Sequence, residues 1–134
     1  MVPNGIKGYK DLLDPALKGK IAVGDAGTSS SAYNHLENML LDFGNGDIDA
    51  KAGWDYVEAL LKQLDGRVVN SSAATYKGVV SGEYAVGLAW DAPALQLVAS
   101  NTPNVDFCYM SEGAASKLSG ISIIKGAKNV ENAK

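Results

Sequence analysis

The run Thr28-Ser29-Ser30-Ser31 sets four hydroxyls in a row, directly after an apolar stretch and a glycine-bearing turn, Ile21-Ala22-Val23-Gly24-Asp25-Ala26-Gly27. This pattern reads as a buried strand, a turn and the start of a helix. The first N–H groups of a helix have no intrahelical partner, and the helix dipole makes that end positive, so such a start can hold an anion. A second start of the same kind, Ser71-Ser72, follows Arg67-Val68-Val69-Asn70. A third follows Trp90 and carries Asp91. Its carboxylate would repel an anion but hold an amine, a hydroxyl or a metal, and the Trp90 ring would cover an apolar part. The combination points to a solute with an anionic end and a separate polar or cationic end. Each feature also has a plain structural reading. Serine and aspartate are preferred helix N-caps, and Trp90, ending a strand, reads equally as core.

Other chemistries have less to work with. His35 and Cys108 are the sole histidine and cysteine, so Cys–His or Ser–His–Asp catalysis would depend on His35. His35 lies beside Leu36 and reads as a surface or half-buried side chain. Cys108, in Val105-Asp106-Phe107-Cys108-Tyr109, reads as a buried structural thiol. No metal-ligand spacing and no cofactor motif is present, and the expected cofactor set is none. An enzyme would have to rely on a carboxylate pair, with Asp25 and Asp91 as candidates. The reading is a non-enzymatic binder.

The elements that must position these residues alternate between helix and strand. Tyr33, Leu36, Leu40 and Phe43 repeat at helical spacing before Gly44. Trp54, Val57, Leu60, Leu61 and Leu64 mark a second helix with Trp54 in its core stripe, Asp47 or Asp49 as cap and Gly66 as stop. Ser71 or Ser72 caps a third helix carrying Tyr76, Val79 and Val80, and Asp91 caps a fourth. Strands are expected at 21–24, 67–70, 84–90, 105–109 and 121–124. The expected fold is α/β, a three-layer αβα sandwich with a mostly parallel mixed sheet. Three helix starts then share the carboxyl edge of the sheet, where α/β proteins bind ligands.

With 134 residues, 46% hydrophobic and 20% charged, the chain reads as a single globular domain over 1–134. A net charge of -3 without a basic cluster argues against nucleic acid. No apolar run approaches the about 20 residues that span a bilayer. The first residues do not resemble a signal peptide.

Asp11-Leu12-Leu13-Asp14-Pro15-Ala16-Leu17-Lys18-Gly19-Lys20-Ile21-Ala22-Val23 resembles the opening block of the second lobe of bacterial extracellular solute-binding proteins, the type II periplasmic binding proteins of ABC importers. Asp25–Tyr33, Val80–Trp90, Ser111-Glu112-Gly113 and Ile123–Lys134 resemble the blocks that follow, in the same order. The resemblance implies a two-lobed protein with solute trapped between lobes, and implies that this chain is the second lobe alone. The ends, 1–8 and 120–134, would then lead to the missing first lobe, with hinge segments near Val2–Lys7 and Gly120–Lys125. It implies Thr28, Ser29, Ser30 and Ser72 as cleft residues and adds weight to Trp90 and Asp91; with Ser31 and Ser71 from the helix starts, these are the expected ligand-binding residues. The implied partners are a small-molecule solute, the first lobe and an ABC transporter permease, with a homodimer of the lone lobe as a further expectation. The implied location is periplasmic or extracellular, including as a membrane-anchored lipoprotein. The solutes of this group include ferric iron, phosphonates, sugar phosphates, thiamine and polyamines. Trp90-Asp91-Ala92-Pro93 lacks the adjacent tyrosines of the ferric binders, which speaks against iron. A sensing or dimerisation module on the same lobe is the alternative function.

Overall fold

In the computed structural model, residues 5–133 are described apart from 115, 118 and 119. Three strands, β1 (Ile21–Gly24), β2 (Val68–Val69) and β3 (Val86–Gly87), form a sheet of order β2-β1-β3. Both pairings are parallel, with Val23 opposite Val68 and Ile21 opposite Val86. The helices are α1 (Ser30–Phe43), α2 (Lys51–Leu64), α3 (Ser72–Val80), α4 (Asp91–Ala99) and a short α5 (Val130–Ala133). Two 3-10 helices, Tyr9–Leu13 and Pro15–Leu17, precede β1. The protein is thus an α/β fold built on a small parallel sheet.

The strand order also sets the layers. The crossover from β1 to β2 moves one way across the sheet, and that from β2 to β3 moves back past β1. Right-handed crossovers therefore place α1 and α2 on one face and α3 on the other. The packing agrees: α1 and α2 pack on each other and on β1, while α3 covers all three strands.

The core lies mainly on the α1–α2 side. Leu40, Tyr56, Val57, Leu60 and Leu64 meet Ile21 from the sheet and Tyr9, Leu12 and Leu17 from the 3-10 helices. Tyr56 stacks on Phe43 with ring centroids 4.0 Å apart, and its hydroxyl donates to the Tyr9 carbonyl at 2.6 Å. A buried hydroxyl needs such a partner, and here the bond fixes the N-terminal 3-10 helix on α2.

Several sequence expectations are corrected. Residues 105–109 and 121–124 form no strand. Alternating apolar residues make a strand only where an open sheet edge accepts their backbone. The Val105 N–H instead bonds back to the Thr102 carbonyl, and the Phe107 N–H goes to the Asp106 side chain. Ile121 is fully exposed and Ile124 is 80% exposed. The 84–90 run pairs only at Val86–Gly87. Trp54 is 47% exposed, with its Nε1–H donating to the Ile48 carbonyl at 3.1 Å, so it braces the loop before α2 rather than filling the core. The α2 N-cap is Ala50, because the Asp47 carboxylate is spent within the loop on the Asp49 N–H. Cys108 is exposed. The α4 N-cap is Trp90, and Asp91 is the first helical residue. Of the expected hinge residues, Val2, Pro3 and Asn4 lie outside the described residues, as does Lys134.

Candidate functional site

Because all three strands are parallel, β1, β2 and β3 end on one edge and deliver α1, α3 and α4 there. The α1 and α3 helices leave this edge to opposite faces of the sheet. The two turns are joined directly: the Asp25 N–H donates to the Val69 carbonyl at 3.1 Å.

The hydroxyls along this edge have distinct duties. Ser29 is the N-cap of α1, its Oγ accepting from the Ala32 N–H at 3.4 Å and lying 3.3 Å from the Ser31 Oγ. Ser71 caps α3 by accepting from the Ala74 N–H at 3.2 Å. Both therefore fulfil the structural reading of a capping serine. The Thr28 hydroxyl donates to the Asp25 carboxylate at 3.2 Å, and the Gly27 N–H donates to the same carboxylate at 2.8 Å. Asp25 thus consumes part of the donor set that an anion would use. The backbone N–H groups of Ser30 and Ser31 on α1, and of Ser72 and Ala73 on α3, have no partner among the described residues. These are the ordinary orphans of a helix start, here in two sets on neighbouring turns.

A cavity of about 660 Å³ opens beside this edge, over β3. Ser31 and His35 on α1, Trp90 and Asp91 at the α4 start, and Phe107 and Tyr109 in the following loop line it. The Tyr109 hydroxyl donates to Asp91 Oδ2 at 3.4 Å, and Phe107 meets Tyr109 edge-on at 4.8 Å. Trp90 is 55% exposed, so its ring is available surface rather than core. The eight candidate residues are therefore divided. Ser31, Trp90 and Asp91 share this cavity, Ser71 lines a shallower depression against α3, and Thr28, Ser29, Ser30 and Ser72 line neither. Among the described residues no group of three or more His, Cys, Asp or Glu could hold a metal ion.

Sequence reasoning missed two parts of this region. The first is the wall formed by residues 104–114, 116 and 117. Glu112 ties it down: its carboxylate accepts from the Tyr9 N–H at 3.0 Å and the Lys10 N–H at 3.1 Å. The Ser111 N–H donates to the Lys7 carbonyl, and Lys117 pairs with Glu37 at 2.6 Å. The second is a polar chain in the cavity lining. Asn38 Nδ2 donates to the Tyr9 hydroxyl and to the Gly113 carbonyl, each at 3.0 Å, and the His35 ring lies between Tyr9 and Ala89. One signal was present: His35 and Asn38 are polar, one turn apart on α1, amid the apolar Leu36, Met39 and Leu40.

The wall should be acid-sensitive. Burial raises the Glu112 carboxyl, but the Lys10 N–H, its own backbone, the Tyr9 N–H and the Ser111 hydroxyl outweigh that and hold its pKa below the ordinary value. A depressed carboxyl pKa contributes stability above the unfolded value and loses it as pH falls through the folded one. Asp42, raised by burial and by Glu112, works the other way, so the local signal is the one to read. The Tyr9 and Lys10 amides are expected to lose hydrogen-exchange protection as pH drops from about 5 to about 3. Unchanged protection, after correction for intrinsic rates, would mean that Glu112 does not hold the wall.

A family model described as bacterial extracellular solute-binding protein matches residues 1–134. An uncharacterized protein of Haemophilus influenzae is 28% identical over 128 residues, which cover 96% of this chain and 35% of that protein. The chain thus spans about a third of the length of this curated relative.

Proposed function

Because this chain belongs to the bacterial extracellular solute-binding proteins, we propose that its β1–α1 and β2–α3 turns are one wall of a solute cleft. The solute is a small anion, a phosphate ester, phosphonate or carboxylate, that also carries a polar or cationic group. The observation that carries this reading is the pair of helix starts joined by the Asp25–Val69 bond, each presenting N–H groups without a partner among the described residues. Ser30, Ser31, Ser72 and Ala73 donate to the anionic end. Thr28, Ser29 and Ser71 shape the turns, and Trp90 and Asp91 take the apolar and polar parts. In this proposal the chain is the second lobe of a two-lobed carrier that hands solute to an ABC transporter permease outside the cytoplasm. Closure of the other lobe would expel water and complete the contacts, so half a site binds weakly.

The test is a titration of the ¹⁵N-labelled chain with sulfate, phosphate, simple carboxylates and amines, followed by amide shifts. Shifts centred on Ser30, Ser31, Ser72 and Ala73 are expected with the anions. Asp91→Asn is expected to reduce discrimination between amine-bearing and amine-free anions by about tenfold, the worth of one charge-assisted hydrogen bond. Shifts scattered away from the edge, or a preference indifferent to Asp91, would refute the assignment.

Exposed Ile121 and Ile124 favour a second reading, self-association of the lobe. Sedimentation over a concentration range would reveal it as a dimer, and a monomer throughout would remove it.

A further inference from the structure

The cavity over β3 is lined by more than the start of α4. Its apolar lining comes from Val86 and Leu88, from Leu97 on α4, and from Val105 and Phe107 in the loop that follows. Its volume of about 660 Å³ lies within the range of small-molecule sites, roughly 300–1,000 Å³. Two large rings stand open on it, Trp90 at 55% exposure and Tyr109 at 58%. Among the described residues the Trp90 indole has no hydrogen bond and no ring partner.

The charge of this lining is one-sided. Asp91 and Asp106 both belong to it, and neither forms an ion pair among the described residues. Asp91 Oδ2 accepts from the Tyr109 hydroxyl at 3.4 Å, and Asp106 Oδ1 accepts from the Phe107 N–H at 2.8 Å. The second oxygen of each, Asp91 Oδ1 and Asp106 Oδ2, has no partner among the described residues. Lys117 is the one lysine or arginine among the described lining residues, and it is committed to Glu37 at 2.6 Å. His35 adds no positive charge at neutral pH, because burial holds its pKa below the ordinary 6.5 despite the Ala89 carbonyl. An anion in this cavity would meet two unmatched carboxylates. A cation with an apolar body is complementary instead: the carboxylates accept from its N–H groups, and the aromatic faces attract its charge.

We propose that this cavity is a subsite for an organic ammonium group that carries an aryl or alkyl body. Trp90 and Tyr109 cover the body, and Asp91 Oδ1 and Asp106 Oδ2 accept from the ammonium. Ser31 belongs both to the α1 start and to the cavity lining, so one solute can set its anion at the edge and its ammonium in the cavity. That link deepens the cleft reading above and rests on it; the preference of the cavity for a cation does not.

The experiment compares two probes of like shape and different charge, 2-phenylethylamine and 2-phenylethanol. Each is added to the ¹⁵N-labelled chain at about pH 7.5, where an alkylamine is protonated. The amine is expected to shift the Trp90 indole and the Asp91, Asp106 and Tyr109 amides, and to bind about tenfold more tightly than the alcohol. Asp106→Asn keeps an oxygen for the Phe107 N–H and removes the charge. It should weaken the amine about threefold and leave the alcohol unchanged. Trp90→Leu, which keeps apolar bulk without the ring face, should weaken the amine about threefold more than the alcohol. Equal affinities for the two probes, or no response to either, would overturn the proposal. So would amine shifts centred away from the cavity, or an equal loss of both probes in Asp106→Asn. Trp90 and Tyr109 signals that move with protein concentration before any probe is added would also overturn it, by showing that a second copy fills the cavity. Sulfate is a separate arm. Its failure to shift Ser30, Ser31, Ser72 and Ala73 would count against the anion cleft and leave the ammonium subsite intact.

Discussion

Leu12→Ala is expected to cost about 3 kcal/mol of stability and to lower the melting temperature by roughly 10 °C. Leu12 sits in a single 3-10 turn, an element that contributes little by itself. Yet it is 0% exposed and belongs to the cluster with Ile21, Leu60 and Leu64. Truncation removes buried methyl groups and leaves a cavity between the turn and α2. The Tyr56 hydroxyl bond to the Tyr9 carbonyl opposes collapse, because it holds that turn at its present distance. Thermal unfolding followed by far-ultraviolet circular dichroism would measure the loss. A change within about 0.5 kcal/mol, the level of a surface substitution, would mean that the turn is not part of the cooperative core.

The second large effect is expected from Gly53→Ala, a loss of about 1–2 kcal/mol. Here two terms oppose each other. Alanine is favoured over glycine in a helix by about 1 kcal/mol. But a Cβ at position 53 would lie 2.7 Å from the Leu40 carbonyl oxygen and 3.0 Å from the Leu40 Cα. Those are backbone atoms of α1, which cannot rotate aside, so α1 and α2 would have to separate. Overpacking of this kind costs about 1–3 kcal/mol, and more against rigid backbone. The clash wins. Urea unfolding with an unchanged slope and a lower midpoint is the expected result. A raised midpoint would show that the helix pair yields easily.

The sequence pattern exposed the helices well, and the physical reason is length. The apolar spacing from Tyr33 to Phe43 and from Trp54 to Leu64 covers three or more turns, enough for the period to emerge. It also placed three helix starts on one edge, because short strands separated by helices have little choice but to run parallel. Shorter features did not show. The 3-10 helices over 9–17 have no period long enough to read, although they bury Tyr9, Leu12 and Leu17. Strand-like composition at 105–109 and 121–124 was misleading, since a strand depends on a neighbour that local sequence does not supply. Trp54 lies on the apolar stripe of α2 yet faces out, because the loop carbonyl of Ile48 captures its indole. At the site, hydroxyl-rich starts were legible, but their allocation was not. That Asp25 would take the Gly27 and Thr28 donors, or that His35 would join Tyr9 to Ala89, depends on distances that only the folded backbone sets.

The strand order β2-β1-β3 carries a kinetic consequence. The first strand made is the central one, and both of its neighbours arrive later in the chain. Val23 waits for Val68 and Ile21 waits for Val86, so no pair can zip up from a hairpin. Each pairing must first close a long loop, and that entropy is lost before any contact compensates for it. The α1–α2 pair, local in sequence, can form early and shorten the first of these loops, leaving β3 and the α4 start to dock last. The face that is proposed to meet solute would then be the latest part of the fold to take shape during refolding.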